Sequence, residues 1–237
     1  MKTMKTMKAM NSILLPLTVN NVQKEIKVKH VYCIGYAGRN IEKTMEHIVE
    51  LEKIGVPRPT EVPTLYPVRR NSLSQTEEIE VLGDKTSGEA EIVLVFGDTA
   101  EEVYITVGSD HTDRSLETID INQSKQICDK PLAQVAWNIN DVIDHWDDLI
   151  LTSQVYLDGE WQNYQEAKIN EIIPLNEIKG FLNKKEITLQ NTVVFSGTVP
   201  LLEGFKYGSK FKMAFIDKVR NNEIHAEYAI TRLDSEE

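Results

Sequence analysis

Apolar residues alternate with polar ones, or run on without interruption, over several short segments, and both patterns are typical of β-strands. The first clear segment is Val28–Tyr36, which is rich in β-branched and aromatic residues. Further segments of this kind are Glu89–Phe96, Val103–Val107, Leu149–Leu157, Thr192–Phe195, Phe211–Phe215 and Glu223–Thr231. The pattern therefore predicts a protein built mostly from strands.

One segment has the periodicity of an amphipathic α-helix. Asn40 is a suitable N-cap for it, and Gly55 is a suitable residue to end it. Between them, apolar residues recur at helical spacing, at Ile41, Met45, Ile48, Leu51 and Ile54. Two shorter helices are predicted near Asn138–His145 and Leu175–Leu182.

Proline shapes the segment that follows this helix. Val56–Pro67 contains four prolines and is predicted to be an extended surface connection. No linker or internal repeat divides the remaining chain. We therefore expect residues 28–237 to form a single domain of mixed α+β class, and we interpret residues 1–27 as an N-terminal leader and first strand region.

The leader carries no recognisable targeting signal. It repeats Met-Lys units, at Met1, Met4, Met7 and Met10. Its lysines are those of a signal peptide, but the apolar run Ile13–Leu17 is short and is broken by Pro16. We therefore expect neither a secretory signal nor a membrane span.

Charge and cysteine content narrow the classes of partner. The 237 residues carry a formal net charge of -11, and binding to nucleic acid or to an anionic membrane needs a basic surface instead. The two cysteines, Cys33 and Cys128, form no CxxC pair, which disfavours a disulfide framework or a zinc site. These features fit a cytoplasmic protein that binds neither nucleic acid nor an anionic membrane.

Two glutamates stand at the start of a continuous apolar run, in the sequence SGEAEIVLVF. Residues two apart in a strand project from the same face, so Glu89 and Glu91 are expected to point the same way. Two anions at the entry to a buried strand repel each other unless a cation or a proton compensates them. The pair therefore indicates either a divalent-cation site or an ordinary solvent-facing strand edge.

A second polar segment, VGSDHTDRSLE, follows a predicted strand. Loops after strands commonly carry functional residues, and Asp110 could complete an oxygen site of the kind that holds magnesium or manganese. The alternative is an aspartate-rich turn tied to Arg114 by a salt bridge.

Taken together, these segments resemble the catalytic domain of the fumarylacetoacetate hydrolase superfamily. The order of the motifs is the same: the ExE pair, a D-x-x-x-R stretch, a lysine, and a Gly-Thr loop near the C-terminus. The lysine is Lys125, which precedes the proline-containing loop Lys130-Pro131. Leu157–Glu160 is similar to an Asn-Gly-Glu hairpin of that family, and Phe195–Thr198 to its Gly-Thr loop.

The resemblance implies a mixed β-roll with a few peripheral helices, assembled as a homodimer. It implies Mg²⁺ or Mn²⁺ as cofactor, in a site that Ca²⁺ could also occupy in crystals. The metal ligands would be Glu89, Glu91 and Asp110. Lys125 would be the active-site lysine, and Gly197 and Thr198 would receive a substrate carboxylate.

The chain departs from the family pattern where a catalytic histidine is expected. The family spacing H-x-x-E corresponds to Arg39 and Glu42, so the glutamate is kept while arginine replaces histidine. Arginine stays protonated and cannot act as a base, but its planar fork suits a carboxylate, with Glu42 orienting it. A closer likeness, in GSDHTDR and GYAGRN, is to a prokaryotic branch of unknown function related to this superfamily.

These residues predict a metal-dependent hydrolase or lyase that acts on a small 2-oxo or 1,3-dicarbonyl acid. C–C bond hydrolysis, decarboxylation, tautomerisation and hydration all pass through an enolate that a chelated cation stabilises. His111 is a candidate base because it adjoins Asp110, although an outward-facing turn histidine fits the sequence equally well. The alternative function is a non-catalytic, metal-dependent binding protein that kept the carboxylates and lost the base.

Overall fold

Strands dominate the structure, which confirms the predicted mixed α+β class with few helices. It is a computed structural model that describes residues 12–233, so the Met-Lys repeat of residues 1–11 lies outside the described residues. The strands are β1 (Ile13–Val19), β2 (Val22–Val28), β3 (His30–Gly35), β4 (Thr64–Val68), β5 (Leu73–Ser74), β6 (Glu78–Leu82), β7 (Thr86–Ser87), β8 (Ala90–Phe96), β9 (Val103–Ser109), β10 (Thr112–Asp113), β11 (Lys130–Pro131), β12 (Val135–Asn138), β13 (Ile150–Leu157), β14 (Glu160–Lys168), β15 (Thr192–Thr198), β16 (Lys210–Asp217) and β17 (Asn222–Leu233). The α-helices are α1 (Ile41–Lys53), α2 (Arg114–Glu117), α3 (Ile121–Ile127) and α4 (Leu175–Lys184).

The strands form two main sheets. The larger sheet has eight strands in the order β2-β1-β12-β9-β8-β15-β3-β4, and the smaller has five in the order β14-β13-β16-β17-β6. Two short pairs, β10 with β7 and β11 with β5, lie beside them. Most neighbours are antiparallel, whereas β15 runs parallel to β3, β1 to β12, β17 to β6, and β11 to β5.

The central strands of the larger sheet are buried on both faces. Along β8, Ile92 and Leu94 belong to the core cluster shared with the smaller sheet, while Val93 and Val95 belong to the cluster on the opposite face. This explains why the sequence of β8 is apolar without alternation, since a strand covered on both sides has no polar face. In β8 and β9 the one charged residue, Glu91, accordingly lies near a strand end.

The segment before residue 28 contributes strands to the sheet. β1 and β2 form an antiparallel hairpin from Ile13 to Val28, and Thr18 and Val19 of β1 pair with β12. Its inward residues alternate along the chain, with Leu15 and Leu17 buried and Leu14 exposed. This alternation was hidden in the sequence by the proline and the neighbouring lysines.

Helix α1 matches the predicted helix closely. The side chain of Asn40 accepts hydrogen bonds from the backbone N–H groups of Glu42 and Lys43, as an N-cap should. The predicted helix near Asn138–His145 is instead two 3₁₀ segments, Ile139–Asp141 and Ile143–Asp148. Within residues 12–233, none of the helices is long and apolar enough to cross a membrane.

The end of the proline-containing connection was also predicted incorrectly. Thr64–Val68 forms β4, an edge strand paired with β3, although Pro67 lies within it. Proline is tolerated there because an edge strand has one side without a ladder of hydrogen bonds. The connection is irregular only in its first part.

Candidate functional site

Three carboxylates meet where β8 begins and β9 ends. The two strands are antiparallel, with Ala90 opposite Ser109 and Glu91 opposite Gly108. Asp110 follows β9 directly, and its backbone N–H donates to the carbonyl oxygen of Glu89 at 3.0 Å. The register of this strand pair therefore brings together the three residues that the sequence suggested as metal ligands.

Glu91 is the carboxylate with the least compensation. It is 4% exposed, and its Oε2 accepts a hydrogen bond of 3.0 Å from the backbone N–H of Gly197. Among residues 12–233 it has no ion-pair partner. Burial, together with the nearby charges of Asp110 and Glu89, raises the pKa of Glu91 well above its usual range.

Glu89 is held by a buried arginine. Its Oε2 lies 3.1 Å from NH2 of Arg114, whose NH1 binds Glu117 at 3.0 Å and whose Nε donates to Ser87 at 2.7 Å. The same guanidinium stacks on the ring of Phe205 at 4.3 Å from its centroid. Because all of its nitrogens are engaged, Arg114 orients Glu89 and has no free fork for another anion.

Asp110 is paired with two lysines and is fully buried. Its Oδ2 lies 2.5 Å from Nζ of Lys125, and its Oδ1 lies 3.5 Å from Nζ of Lys130. Burial by itself would raise the pKa of Asp110, but Lys125 and Lys130 outweigh it and lower this pKa to about 2. Burial would likewise lower the pKa of Lys125, whereas Asp110 holds it above its usual value. Both groups are therefore charged at neutral pH.

The donor atoms and the charge balance of this region are compatible with a bound cation. No three His, Cys, Asp or Glu side chains in the described part of the chain already lie in the arrangement of a metal site. The donor chemistry nevertheless fits a hard divalent ion, because the carboxylates are oxygen ligands and one of them has no cationic partner. When Glu91 is ionised, the acids of this region outnumber the bases by one, and the raised pKa of Glu91 reflects that excess: the acids are Glu89, Glu91, Asp110 and Glu117, and the bases are Arg114, Lys125 and Lys130.

The Gly-Thr loop at the end of β15 closes one side of the cluster. Gly197 has φ +132, and a Cβ there would lie 2.9 Å from a methyl group of Ile172, so the close approach requires glycine. The Thr198 hydroxyl donates to the carbonyl oxygen of Ala90 at 2.6 Å. The loop thus binds the strand that carries the two glutamates, through both Glu91 and Ala90.

Gln165 is a buried residue of this region that the sequence analysis did not identify. Its Oε1 accepts from the N–H of Ala90 at 2.9 Å and from the hydroxyl of Ser153 at 2.7 Å. Its Nε2 donates to Thr198 Oγ1 at 2.6 Å and to the carbonyl oxygen of Val199 at 2.9 Å. One side chain of the smaller sheet therefore fixes both β8 and the end of β15.

The hydrogen-bond partners of Arg39 are residues other than the three carboxylates. Its two terminal nitrogens bind the carboxylate of Asp147 at 2.9 and 2.6 Å, and its Nε donates to the carbonyl oxygen of Ile172 at 3.1 Å. We expected Glu42 to orient this guanidinium, but the structure pairs it with Asp147. Glu42 is exposed in the first turn of α1.

His111 is directed into the interior. Its Nδ1 lies 3.0 Å from the hydroxyl of Tyr228, which donates in turn to Ser109 Oγ at 2.8 Å. Its Nε2 is buried and has no hydrogen-bond partner among the residues described. Burial, with the charges of Lys130 and Arg114, lowers the pKa of His111 to about 3, so the imidazole is neutral at physiological pH.

Comparison with solved structures gives matches of the same fold. A 2-keto-3-deoxy-D-arabinonate dehydratase matches with a TM-score of 0.66 at 16% identity, covering 90% of this chain and 76% of that one. A fumarylpyruvate hydrolase from Pseudomonas aeruginosa matches with a TM-score of 0.63 at 18% identity, covering 94% and 98%. Yeast ynq8, a fumarylacetoacetate hydrolase family protein, matches with a TM-score of 0.62 at 12% identity, covering 88% and 95%. These identities show a shared fold and confirm the resemblance found in the sequence.

Comparison by sequence identifies a family model but no curated relative. No curated protein matches this chain. One family model does, over residues 34–228, and its description is "Protein of unknown function (DUF2848)". That span includes the carboxylates, both lysines and the Gly-Thr loop. The chain therefore belongs to the family DUF2848 and has the fold of the fumarylacetoacetate hydrolase superfamily.

Proposed function

We propose that this protein is a divalent-metal-dependent enzyme that acts on a small 2-oxo or 1,3-dicarbonyl carboxylic acid. The observation that carries the proposal is the buried carboxylate of Glu91, which lies beside Asp110 and Glu89 without a cation of its own. A buried anion of this kind is costly unless a cation compensates it. Glu91, Asp110 and Glu89 are the residues that would hold the ion.

Relatives of the same fold indicate the kinds of ion and substrate. The fumarylpyruvate hydrolase was solved with Mn²⁺ and pyruvate, and the dehydratase was solved with magnesium and 2,5-dioxopentanoate. Mg²⁺ or Mn²⁺ is accordingly the cofactor that we propose. When bound, it would act as a Lewis acid toward the adjacent oxygens of a 2-oxo acid and stabilise the developing enolate.

Groups of the protein itself would make the other contacts to the substrate. Lys125 holds a positive charge beside Asp110, and in our proposal its ammonium group donates a hydrogen bond to the enolate oxygen. Gly197 and Thr198 would receive the substrate carboxylate. In the structure their N–H and hydroxyl bind Glu91 and Ala90, so this role requires those hydrogen bonds to be exchanged.

The surroundings of the carboxylates favour reactions that need no strong base. Arg39 stands where the family has its histidine, and a guanidinium does not take up a proton. Glu42 is exposed, and His111 is fully buried, so either one would have to be brought to the substrate before acting as a base. Decarboxylation of a 2-oxo acid forms the enolate by loss of CO₂, without a base that removes a proton from carbon, and it is therefore the reaction we favour over C–C bond hydrolysis.

A second function is supported by the pairing of Arg39 with Asp147. Asp147 occupies the arginine that stands in place of the family's base, and without a base the protein would bind a metal and a carboxylate but not turn it over. Turnover separates the two functions. The enzyme, with manganese added, should consume oxaloacetate or an acylpyruvate faster than manganese alone does, whereas a binding protein should not.

The test of the metal site is calorimetry with Mn²⁺ on the wild type and on Glu91→Ala. We expect manganese binding to be largely abolished by the substitution, because it removes the carboxylate that has no other cation. Glu80→Ala is a suitable control, since Glu80 is an exposed residue of β6. Unchanged affinity in Glu91→Ala would refute the assignment, and a chelator should lower the Tm of the wild type and of Glu80→Ala but not that of Glu91→Ala.

A further inference from the structure

Lys130 is a fully buried lysine whose ammonium group is surrounded by oxygen atoms. Its side chain is 0% exposed. Nζ donates to the backbone carbonyl oxygens of His111 at 2.7 Å, of Cys128 at 3.1 Å, and of Lys125. Asp110 Oδ1 lies 3.5 Å away on the same group. The proposed function assigns this residue no role.

These contacts match the needs of a small monovalent cation. An ammonium group has three N–H donors, and here three backbone carbonyls accept them while one carboxylate balances the charge. Rings of carbonyl oxygens that replace a hydration shell also hold K⁺ in proteins. The last turn of α3 supplies Lys125, the residue after this helix is Cys128, and the turn after β9 supplies His111, so the cage joins two separate segments.

We propose that this cage is a monovalent-cation site whose occupant is the protein's own Lys130. By filling it, Lys130 fixes the turn that carries Asp110 and the helix end that carries Lys125, which are two groups of the candidate active site. It is a positioning residue and does not itself touch a substrate. The proposal concerns the cage alone and stands whether or not the proposed reaction is correct.

The test removes the ammonium group of Lys130 by mutation and then supplies a small ammonium ion from solution. Lys130→Ala deletes three methylene groups and the ammonium, and propylammonium contains the same atoms. We expect the Tm of Lys130→Ala to fall by about 5–10 °C, because three buried carbonyls lose their donor. Added propylammonium should raise that Tm in a saturable way, as a ligand of the folded state does. The wild type should not respond, because its cage is filled.

Two controls separate charge from volume. 1-Propanol has a similar size without the charge, and tetramethylammonium has the charge at a size too large for the cage. Neither should restore Lys130→Ala. Lys130→Met fills the volume with an apolar chain, so it should melt below the wild type and gain nothing from propylammonium.

The outcomes that overturn the proposal are specific. It fails if propylammonium leaves the Tm of Lys130→Ala unchanged, or if 1-propanol restores it equally. It also fails if Lys130→Met is as stable as the wild type, since the cage would then need no cation. This last measurement decides the question even if Lys130→Ala cannot be folded.

Coupling to the active site is measured separately with Mn²⁺. Propylammonium should return the manganese affinity of Lys130→Ala to the wild-type value, in whichever direction the empty cage has displaced it. If the wild type itself binds no manganese, the proposed function fails while the melting experiment still decides the cage. If manganese affinity stays displaced when the Tm is restored, the positioning of Asp110 and Lys125 by Lys130 is refuted.

Discussion

Two regions of the molecule each contain an ion pair, one of them buried and the other exposed to solvent. Asp110 and Lys125 are buried at the end of β9, where their ion pair of 2.5 Å is enclosed by other charges. Arg39 and Asp147 form a bidentate pair on the surface, with side chains that are 34% and 56% exposed. Both pairs have good geometry, yet only the first is costly to leave unpaired, because water solvates the second.

This difference shows for which charged residues a sequence resemblance indicates the position in the structure. The buried charges are tied to strand ends by backbone hydrogen bonds, so their place follows from the register of β8 and β9. Arg39 can exchange Asp147 for another anion at small cost, so its contacts in one conformation do not fix its role. Substitutions of buried and of exposed polar side chains test this contrast.

The largest effect is expected at Gln165. Replacing it with leucine leaves the Ala90 N–H and the hydroxyls of Ser153 and Thr198 without this partner inside the protein. We expect Gln165→Leu to lower the free energy of unfolding by about 3–5 kcal/mol, as breaking a buried hydrogen-bond network does. Urea denaturation measures this.

The control for Gln165 is Gln154→Leu. Gln154 lies on the neighbouring strand β13 and bonds at the surface to Asn163. Its replacement should change stability by less than about 0.5 kcal/mol. Equal losses in the two variants would show that burial of the network does not matter.

An intermediate effect, of opposite sign at two neighbouring sites, is expected for Glu89 and Glu91. With a chelator present, Glu89→Gln should destabilise the protein by about 2 kcal/mol because Arg114 loses a charged partner. Glu91→Gln should stabilise it by about 1 kcal/mol, since the amide relieves an uncompensated buried charge and still accepts from Gly197. Denaturation of both variants at pH 7 measures the two signs. A loss of stability in Glu91→Gln would contradict the charge imbalance described for this site.

The smallest effect is expected at Asp147. Asp147→Asn should lower stability by no more than about 0.5 kcal/mol, because the pair with Arg39 is exposed and screened. Hydrogen bonding to Arg39 lowers the pKa of Asp147, so this contribution is present above the usual aspartate pKa and is lost as pH falls through the lowered value. Denaturation of both proteins from pH 7 down to pH 2 should show the difference disappearing.

The same substitution tests whether Arg39 binds a substrate carboxylate. If Arg39 binds a substrate carboxylate, Asp147→Asn weakens its competitor and should lower KM for a 2-oxo acid, while Arg39→Lys should raise KM more than it lowers kcat. Steady-state kinetics on the two variants test this. If neither variant changes KM, Arg39 has a structural role only.

The sequence predicted the class of fold and the family, because both depend on local patterns. The continuous apolar run of β8 and the cap at Asn40 are read directly from neighbouring residues. Motif order then suggested Glu89, Glu91 and Asp110, which lie on the paired ends of β8 and β9, while their role as metal ligands stays a prediction.

Long-range contacts could not be predicted in this way. Gln165 lies in a polar stretch, EWQNYQEAK, and a register shift at Ser153 and Gln154 interrupts the alternation of β13 and β14 that could have marked it as buried. The partner of Arg39 is 108 positions away, and no local pattern indicates it. Likewise, Lys130 looks like an ordinary loop lysine until the carbonyls around it are known.

The hydrogen bond from Gly197 to Glu91 joins residues 106 positions apart and has a consequence for how the chain folds. β15 enters the larger sheet between β8 and β3, which both precede it by long stretches of chain. Such non-local pairing is slow to form, and during synthesis β15 leaves the ribosome after most of the protein. We therefore expect β8 to have an open edge until β15 docks, and a charged residue such as Glu91 at an open edge disfavours pairing with another chain.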